Sequence, residues 1–337
     1  MKRHKICKII FAILAVFLCV AFYELIGICI TYKKQPAVSD ATIKETQNIM
    51  SVAGRENTER AVIIEKNSQA LLERVRLIQN AKDEIILSTF AFKSDESGKL
   101  ILGALHDAAD RGVHVRILVD GMESWIDMEG NPYFYGLSSH ENVEIKLYNK
   151  ANPLKPWKTM GRMHDKYLIA DGKIYILGGR NTYNYFLGDF PGHKNFDRDV
   201  LVVCDEPQKD NSVNQLWNYF ETIWEQEDCR YFHNSKKLAD RQSVKKAVLE
   251  LQEGYQQYFE VNKEKICDTD YADETFETEK ITLLSNPIHT QAKEPVVWYQ
   301  LGELMKNAKE RVKIHTPYII CNDMMYNCLL YTSPSPR

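Results

Sequence analysis

Gly161 to Asn181 reads GRMHDKYLIADGKIYILGGRN, and the rest of the chain is organised around it. Tyr167 to Ala170 is a short apolar run, Asp171-Gly172 is a favoured two-residue turn, and Ile174 to Leu177 is a second apolar run. Two apolar runs joined by Asp-Gly predict a β-hairpin inside a core. Side chains alternate along a strand, so His164 and Lys166 fall on one face. An imidazole attacks phosphorus or carries a proton, and an ammonium is a point charge for non-bridging phosphate oxygens. Gly178 and Gly179, with no Cβ, let backbone come close to a phosphate, and Asn181 has amide hydrogens to donate to it.

His164, Lys166 and Asp171 stand in the spacing H-x-K-x4-D, and Gly178-Gly179-Arg180-Asn181 follows six residues later. The pattern resembles the HKD signature of the phospholipase D superfamily, in the variant found in cardiolipin-synthase-like members. Three common residue types at one spacing are weak alone; the Gly-Gly-x-Asn at a fixed distance makes them specific. The resemblance implies metal-free, cofactor-free phosphoryl transfer through a phosphohistidine. His164 would be the nucleophile, with Lys166 and Asn181 holding the phosphoryl oxygens and Asp171 completing the motif, more as a buttress of the hairpin than as a contact to substrate. A carboxylate on a following strand would orient the histidine. Asp199, which opens the apolar run Val200 to Val203, is the candidate and Asp197 the reserve. The fold implied is an α/β sandwich, a mostly parallel or mixed sheet flanked by helices, in which two HKD halves share one site.

The chain has 337 residues, 44% of them hydrophobic, and a net charge of −3. That is globular composition without the basic excess of a nucleic-acid binder, so no nucleic-acid partner is expected. The eight cysteines show no C-x-x-C pair and no metal-ligand spacing. A basic stretch, 1–8, precedes an almost wholly apolar run, 9–32, long enough for one membrane-spanning helix. A cleaved signal peptide is the rival reading; no small-x-small site directly follows the run, which favours an anchor. Four basic residues precede it and two follow, Lys33 and Lys34, which favours a cytoplasmic N-terminus and an extracytoplasmic catalytic part at the cell membrane.

Residues 33–60 read as a linker or membrane-proximal helix. From 61 to 230 the pattern is helix, strand, helix, strand, as in an α/β domain. Its members are a helix capped by Ser68 with Leu71, Leu72, Val75 and Ile78 on one face, a strand at 85–90, a helix stopped by Gly112, and strands at 113–119 and 143–147. Residues 122–142 read as an aromatic loop, 151–162 as a segment lining the approach to His164, and Val213 to Trp224 as a core-facing helical stripe. Residues 231–280 read as a charged helical insertion or linker.

Asn80 to Ile86 is echoed by Asn307 to Lys313, a spacing of 307 − 80 = 227 residues. The echo makes 281–327 the expected start of a second HKD domain. Carried forward from His164, that spacing places a second catalytic histidine at 391, past residue 337. Residues 328–337, CLLYTSPSPR, read as a non-native tail. The functional expectation is a membrane-anchored phosphatidyltransferase or phosphodiesterase acting on phospholipids of the bilayer. Its partner would be the missing second half or a second copy; an HKD nuclease and an inactive half-enzyme are the alternatives.

Overall fold

A computed structural model describes residues 2–51 and 59–314, with 316 and 326. Two compact units form: residues 56–281, and a second made of 1–55 with 282–337. The expected tail 328–337 and most of the echoed strand after Lys313 lie outside the described residues.

The larger unit is built on one nine-stranded mixed sheet. In chain order its elements are β1 (Glu59–Ile64), α3 (Asn67–Asn80), β2 (Glu84–Thr89), α4 (Glu96–Asp110), β3 (His114–Asp120), α5 (Glu123–Met128), α6 (Pro132–Ser138) and β4 (Val143–Tyr148). Then come β5 (Tyr167–Ala170), β6 (Ile174–Gly178), β7 (Asp199–Cys204), α7 (Ser212–Trp224), β8 (Cys229–Tyr231), α8 (Gln242–Ile266) and β9 (Phe276–Glu277). The sheet order is β8-β4-β3-β2-β5-β6-β7-β1-β9. Only β2, β3 and β4 pair in parallel; every other pairing is antiparallel. The parallel expectation therefore holds for the two crossovers that carry α4 and the α5–α6 segment, since a crossover is what makes neighbours parallel.

Alternation sorts the strands into two faces. Ile85 and Leu87, Val115, Ile117 and Val119, and Ile145 and Leu147 join one buried cluster with α3, α4 and α8. The opposite face carries Arg116, whose guanidinium lies 4.8 Å from the Phe220 ring on α7 and pairs with Glu221 at 2.6 Å. The stripe on α7 is core, as expected: Val213, Leu216, Phe220, Ile223 and Trp224 are all buried. α8 is no detached insertion. It buries Val244, Ala247, Leu251 and Tyr255, and the backbone of Leu251 lies so close to Gly103 of α4 that a Cβ there would strike it. So the compact unit runs on past 230, and β9 closes its far edge against β1.

Local signals explain several boundaries. Asp95 caps α4 by accepting from the Gly98 N–H at 3.1 Å, and Gly112, at φ 94°, ends the turn after it. The stretch expected as an aromatic loop holds α5 and α6, the latter started by Asn131, which accepts from Tyr133 N–H, and by Pro132 in the first turn. Ser68 lies inside α3 instead of capping it; Lys66 is at the cap and makes no side-chain bond there.

The smaller unit holds α1 (Lys2–Tyr32), α2 (Asp40–Ser51) and α9 (Val296–Asn307). α2 falls within the expected linker and touches α9. Within α1, Lys5–Tyr32 is a candidate membrane span whose most apolar 18-residue window has a mean hydropathy of 2.7 and no buried residue.

Candidate active site

The hairpin expected from the sequence is β5–β6, with Tyr167 opposite Leu177 and Ala170 opposite Ile174. It sits centrally in the sheet, so its two ends lie at opposite sheet edges. At one edge converge the C-terminal ends of β2 and β3, the start of β5, the end of β6 and the start of β7: Ser88 pairs with Tyr167, Thr89 with Val119 and Gly178 with Asp199. His164 and Lys166 lie just before β5, and Asn181 just after β6, so all three belong to this edge.

Phe90, directly after β2, gathers the basic groups. Its ring meets the His164 imidazole edge-on at 4.6 Å, and lies 5.4 Å from Lys166 Nζ and 5.0 Å from the Arg162 guanidinium. Ring faces attract cations, so one aromatic side chain holds three nitrogen groups near a common point. His164 is exposed and its ring makes no hydrogen bond among the described residues. Removal from water, and then the nearby Lys166 charge, lower its pKa below the ordinary histidine value. A neutral imidazole is the nucleophilic form. Lys166 is buried, donates to the His164 carbonyl at 2.6 Å, and is pushed down by desolvation to about 8. It forms no ion pair among the described residues, which leaves two donors for a ligand. Asn181 is buried, its carbonyl oxygen accepts from Ala91 N–H at 3.1 Å, and its NH2 donates to nothing among the described residues. The fixed oxygen leaves the NH2 as the donor still available to a ligand.

Sequence reasoning missed the group that holds this edge in place. Asp120, at the end of β3 and buried, accepts from Met163 N–H at 3.1 Å and from Arg162 at 2.6 Å. It also accepts from Met122 and Glu123 N–H, each at 3.1 Å, and so fixes the start of α5. The residues entering His164 are thus tied to β3. A carboxylate ending a parallel strand just before Gly121 was the signal available. Asp165, between the two basic residues, accepts from the Tyr219 hydroxyl at 2.8 Å and ties the same segment to α7.

Two expected roles are corrected. Asp199 does not orient His164. It is buried and pairs with Arg74 at 2.9 Å and Arg180 at 3.2 Å. Arg180 in turn donates to Asn67 Oδ1 and to the Ile64, Glu65 and Asp197 carbonyls, so the residue inside Gly-Gly-x-Asn is a buried brace among β1, α3 and β7. Gly178 and Gly179 make room for protein, not for a phosphate: a Cβ on the first would strike Asp199 Oδ1, and one on the second the Asp197 carboxylate. That carboxylate, the reserve candidate, is among the acids whose field raises the Lys166 pKa against its desolvation. Asp171 is at the far edge. In the left-handed turn at φ 51° it accepts from Lys82, Asp83 and Glu84 N–H at 2.8–3.0 Å. Five residues of extended chain put it roughly 16 Å from Lys166.

Known proteins bear on this geometry. Residues 75–224 match the family model described as the phospholipase D-like domain of cardiolipin synthase. Those residues therefore form a phospholipase D-like domain, and the chain's relatives include cardiolipin synthases. The chain is 27% identical over 292 residues to an uncharacterized protein of Helicobacter pylori, covering 78% of this chain and 55% of that one. With cardiolipin synthase C of Escherichia coli it shares 29% over 154 residues, 42% of this chain and 31% of the relative. The chain therefore spans about half the length of the first and a third of the second. Among solved structures, the phospholipase D family member Nuc of Salmonella typhimurium is 20% identical with a TM-score of 0.37, covering 52% of this chain and 98% of that one.

Proposed function

We propose that this chain supplies one half-site of a membrane-anchored phosphatidyltransferase or phosphodiesterase acting on phospholipids. The observation that carries the reading is the cluster on Phe90: an exposed imidazole without a hydrogen-bond partner beside a buried ammonium without an ion pair, both among the described residues. Lys166 and the Asn181 NH2 take the non-bridging oxygens of a phosphodiester and stabilise the charge that builds on them. His164 attacks phosphorus, the P–O bond to the leaving alcohol breaks, and a phosphatidyl group remains on the imidazole. The proton for the leaving alcohol comes from a second histidine, in a further HKD half or a second copy of this chain. Water as acceptor then gives hydrolysis, and a lipid hydroxyl gives transfer. The likeness to cardiolipin synthase C favours lipid, as do the candidate span in α1 and a net charge of −3. The excess of basic residues before the apolar run 9–32, four against two, favours a single pass with the site outside the cytoplasm.

The test offers phosphatidylglycerol in vesicles and single- or double-stranded DNA at matched concentration. The expected result is lipid turnover with little DNA cleavage. Efficient DNA cleavage without a lipid product overturns the substrate class in favour of a nuclease, whose affinity would fall steeply with salt.

A further inference from the structure

The site edge of the sheet carries more exposed apolar surface than the chemistry just described needs. Among the described residues of 59–281, eleven large apolar side chains are exposed, and six of them stand at this edge. Trp125 and Ile126 lie on α5, Leu154, Trp157 and Met160 on the segment leading to His164, and Phe196 on the loop entering β7. Ile126, Leu154 and Phe196 are each about 80% exposed. The first two segments are held side by side: Asp120 accepts from the N–H groups that start α5 and from Arg162, and Arg162 reaches Glu123 at 3.8 Å. The apolar side chains of those two segments therefore form a rim on chain tied to the same carboxylate that fixes the His164 segment, and Phe196 adds to the same edge from the loop entering β7.

Isolated exposed apolar residues are ordinary, but a group of them concentrated at one edge marks a docking surface. The composition argues for one occupant. Two tryptophans with Leu, Ile, Met and Phe are the side chains that enter the headgroup and upper acyl region of a bilayer. Lys155, exposed and without an ion pair among the described residues, and Lys150, 4.0 Å from Glu129, stand within the same stretch, where anionic headgroups attract them. On the reading that the candidate span Lys5–Tyr32 anchors the chain, a bilayer lies within reach of the unit. We infer that this rim inserts into the lipid surface beside the site, so that a substrate lipid reaches His164 without leaving the membrane for water. The inference rests on the phospholipid reading above, yet lipid contact and lipid turnover are separate observables.

The experiment reconstitutes the full chain into mixed phosphatidylcholine–phosphatidylglycerol vesicles whose acyl chains carry bromine, a contact quencher of tryptophan. None of the five tryptophans lies within residues 2–32, so the anchor itself adds no signal. Bromolipid is expected to quench the emission, and the Trp125→Phe/Trp157→Phe double variant to lose at least about half of that quench at an unchanged melting temperature. Absence of quenching in the native sequence, or equal quenching in the double variant, overturns the proposal. Equal quenching joined with intermolecular cross-links through Trp157→Cys overturns it in favour of a second copy covering this face. Phosphatidylglycerol turnover by the assembled enzyme, with both half-sites present, on the same vesicles separates the two readings. Rim-dependent quenching without turnover upholds the rim and removes the substrate class; turnover without rim-dependent quenching removes the rim and leaves the substrate class standing.

Discussion

The two ends of the β5–β6 hairpin come from one short motif and are built in opposite ways. At the Asp171 end the motif's acceptor is used: the carboxylate takes three backbone N–H groups at and just before the start of β2. At the His164 end donors are left over: an imidazole with no hydrogen bond, an ammonium with one carbonyl, and an amide whose NH2 is free among the described residues. Saturated polar groups hold a fold together, whereas unsatisfied ones held in place are groups awaiting a ligand. The H-x-K-x4-D spacing therefore joins a site to its foundation. At the same edge as His164 lies a third region, the buried Asp199 with Arg74 and Arg180, which is charged and yet structural.

The largest effect expected is on chemistry at the open end. In the assembled enzyme, His164→Ala should lower turnover by at least about 10³-fold, because no covalent step remains, while the melting temperature stays the same. A melting temperature that falls with activity would make His164 part of the foundation and dissolve the contrast.

Next comes the buried acid. Asp199→Ala leaves two guanidinium groups buried without their counter-charge, an expected loss of about 3–5 kcal/mol in denaturant unfolding. If instead stability is kept and only kcat falls, Asp199 orients the catalytic histidine after all.

Asp171→Ala should cost less, about 1–2 kcal/mol, since the three N–H groups it releases border exposed residues and regain water. Folded Asp171→Ala protein should keep its activity to within about threefold. A loss of activity comparable with that of His164→Ala would place Asp171 in the chemistry.

The smallest signal is a pH profile. Lys166 carries its charge below its lowered pKa of about 8 and loses it above. The ratio kcat/KM should therefore decline above pH 8, where an ordinary lysine would hold its charge up to about 10.4. Burial and the Lys166 charge lower the His164 pKa and favour the neutral imidazole, so the acid limb should lie at lower pH than an ordinary histidine would give. A profile flat to pH 10 would separate Lys166 from the rate.

Much of this contrast was legible in the sequence, for physical reasons. Asp-Gly between Tyr167–Ala170 and Ile174–Leu177 admits few structures other than a hairpin, and alternation then sets His164 and Lys166 apart from Asp171. What stayed hidden depends on partners far along the chain. Asp197 and Asp199 lie two residues apart and share a face in extended chain, so periodicity cannot separate them. What separates them is Arg74, 125 residues before Asp199. Likewise the glycines promise close approach without saying to what, and the answer, the carboxylates of Asp199 and Asp197, needs the register of β6 against β7. Asp120 ended a strand in the sequence; its role appeared only when Arg162, 42 residues on, came back to it. β1 was hidden too, because Glu59 and Arg60 at its start made the run from Ala61 to Ile64 too short to stand out as a strand.

The most direct test is chemical trapping. Enzyme turning over a phospholipid labelled in its phosphate is quenched, digested and analysed by mass spectrometry for the peptide carrying His164. An acid-labile phosphatidyl or phosphoryl group on His164 is the expected result, retained in Asp171→Ala and absent in His164→Ala. Continued turnover with no adduct on that peptide, or an adduct that survives His164→Ala, would contradict the account.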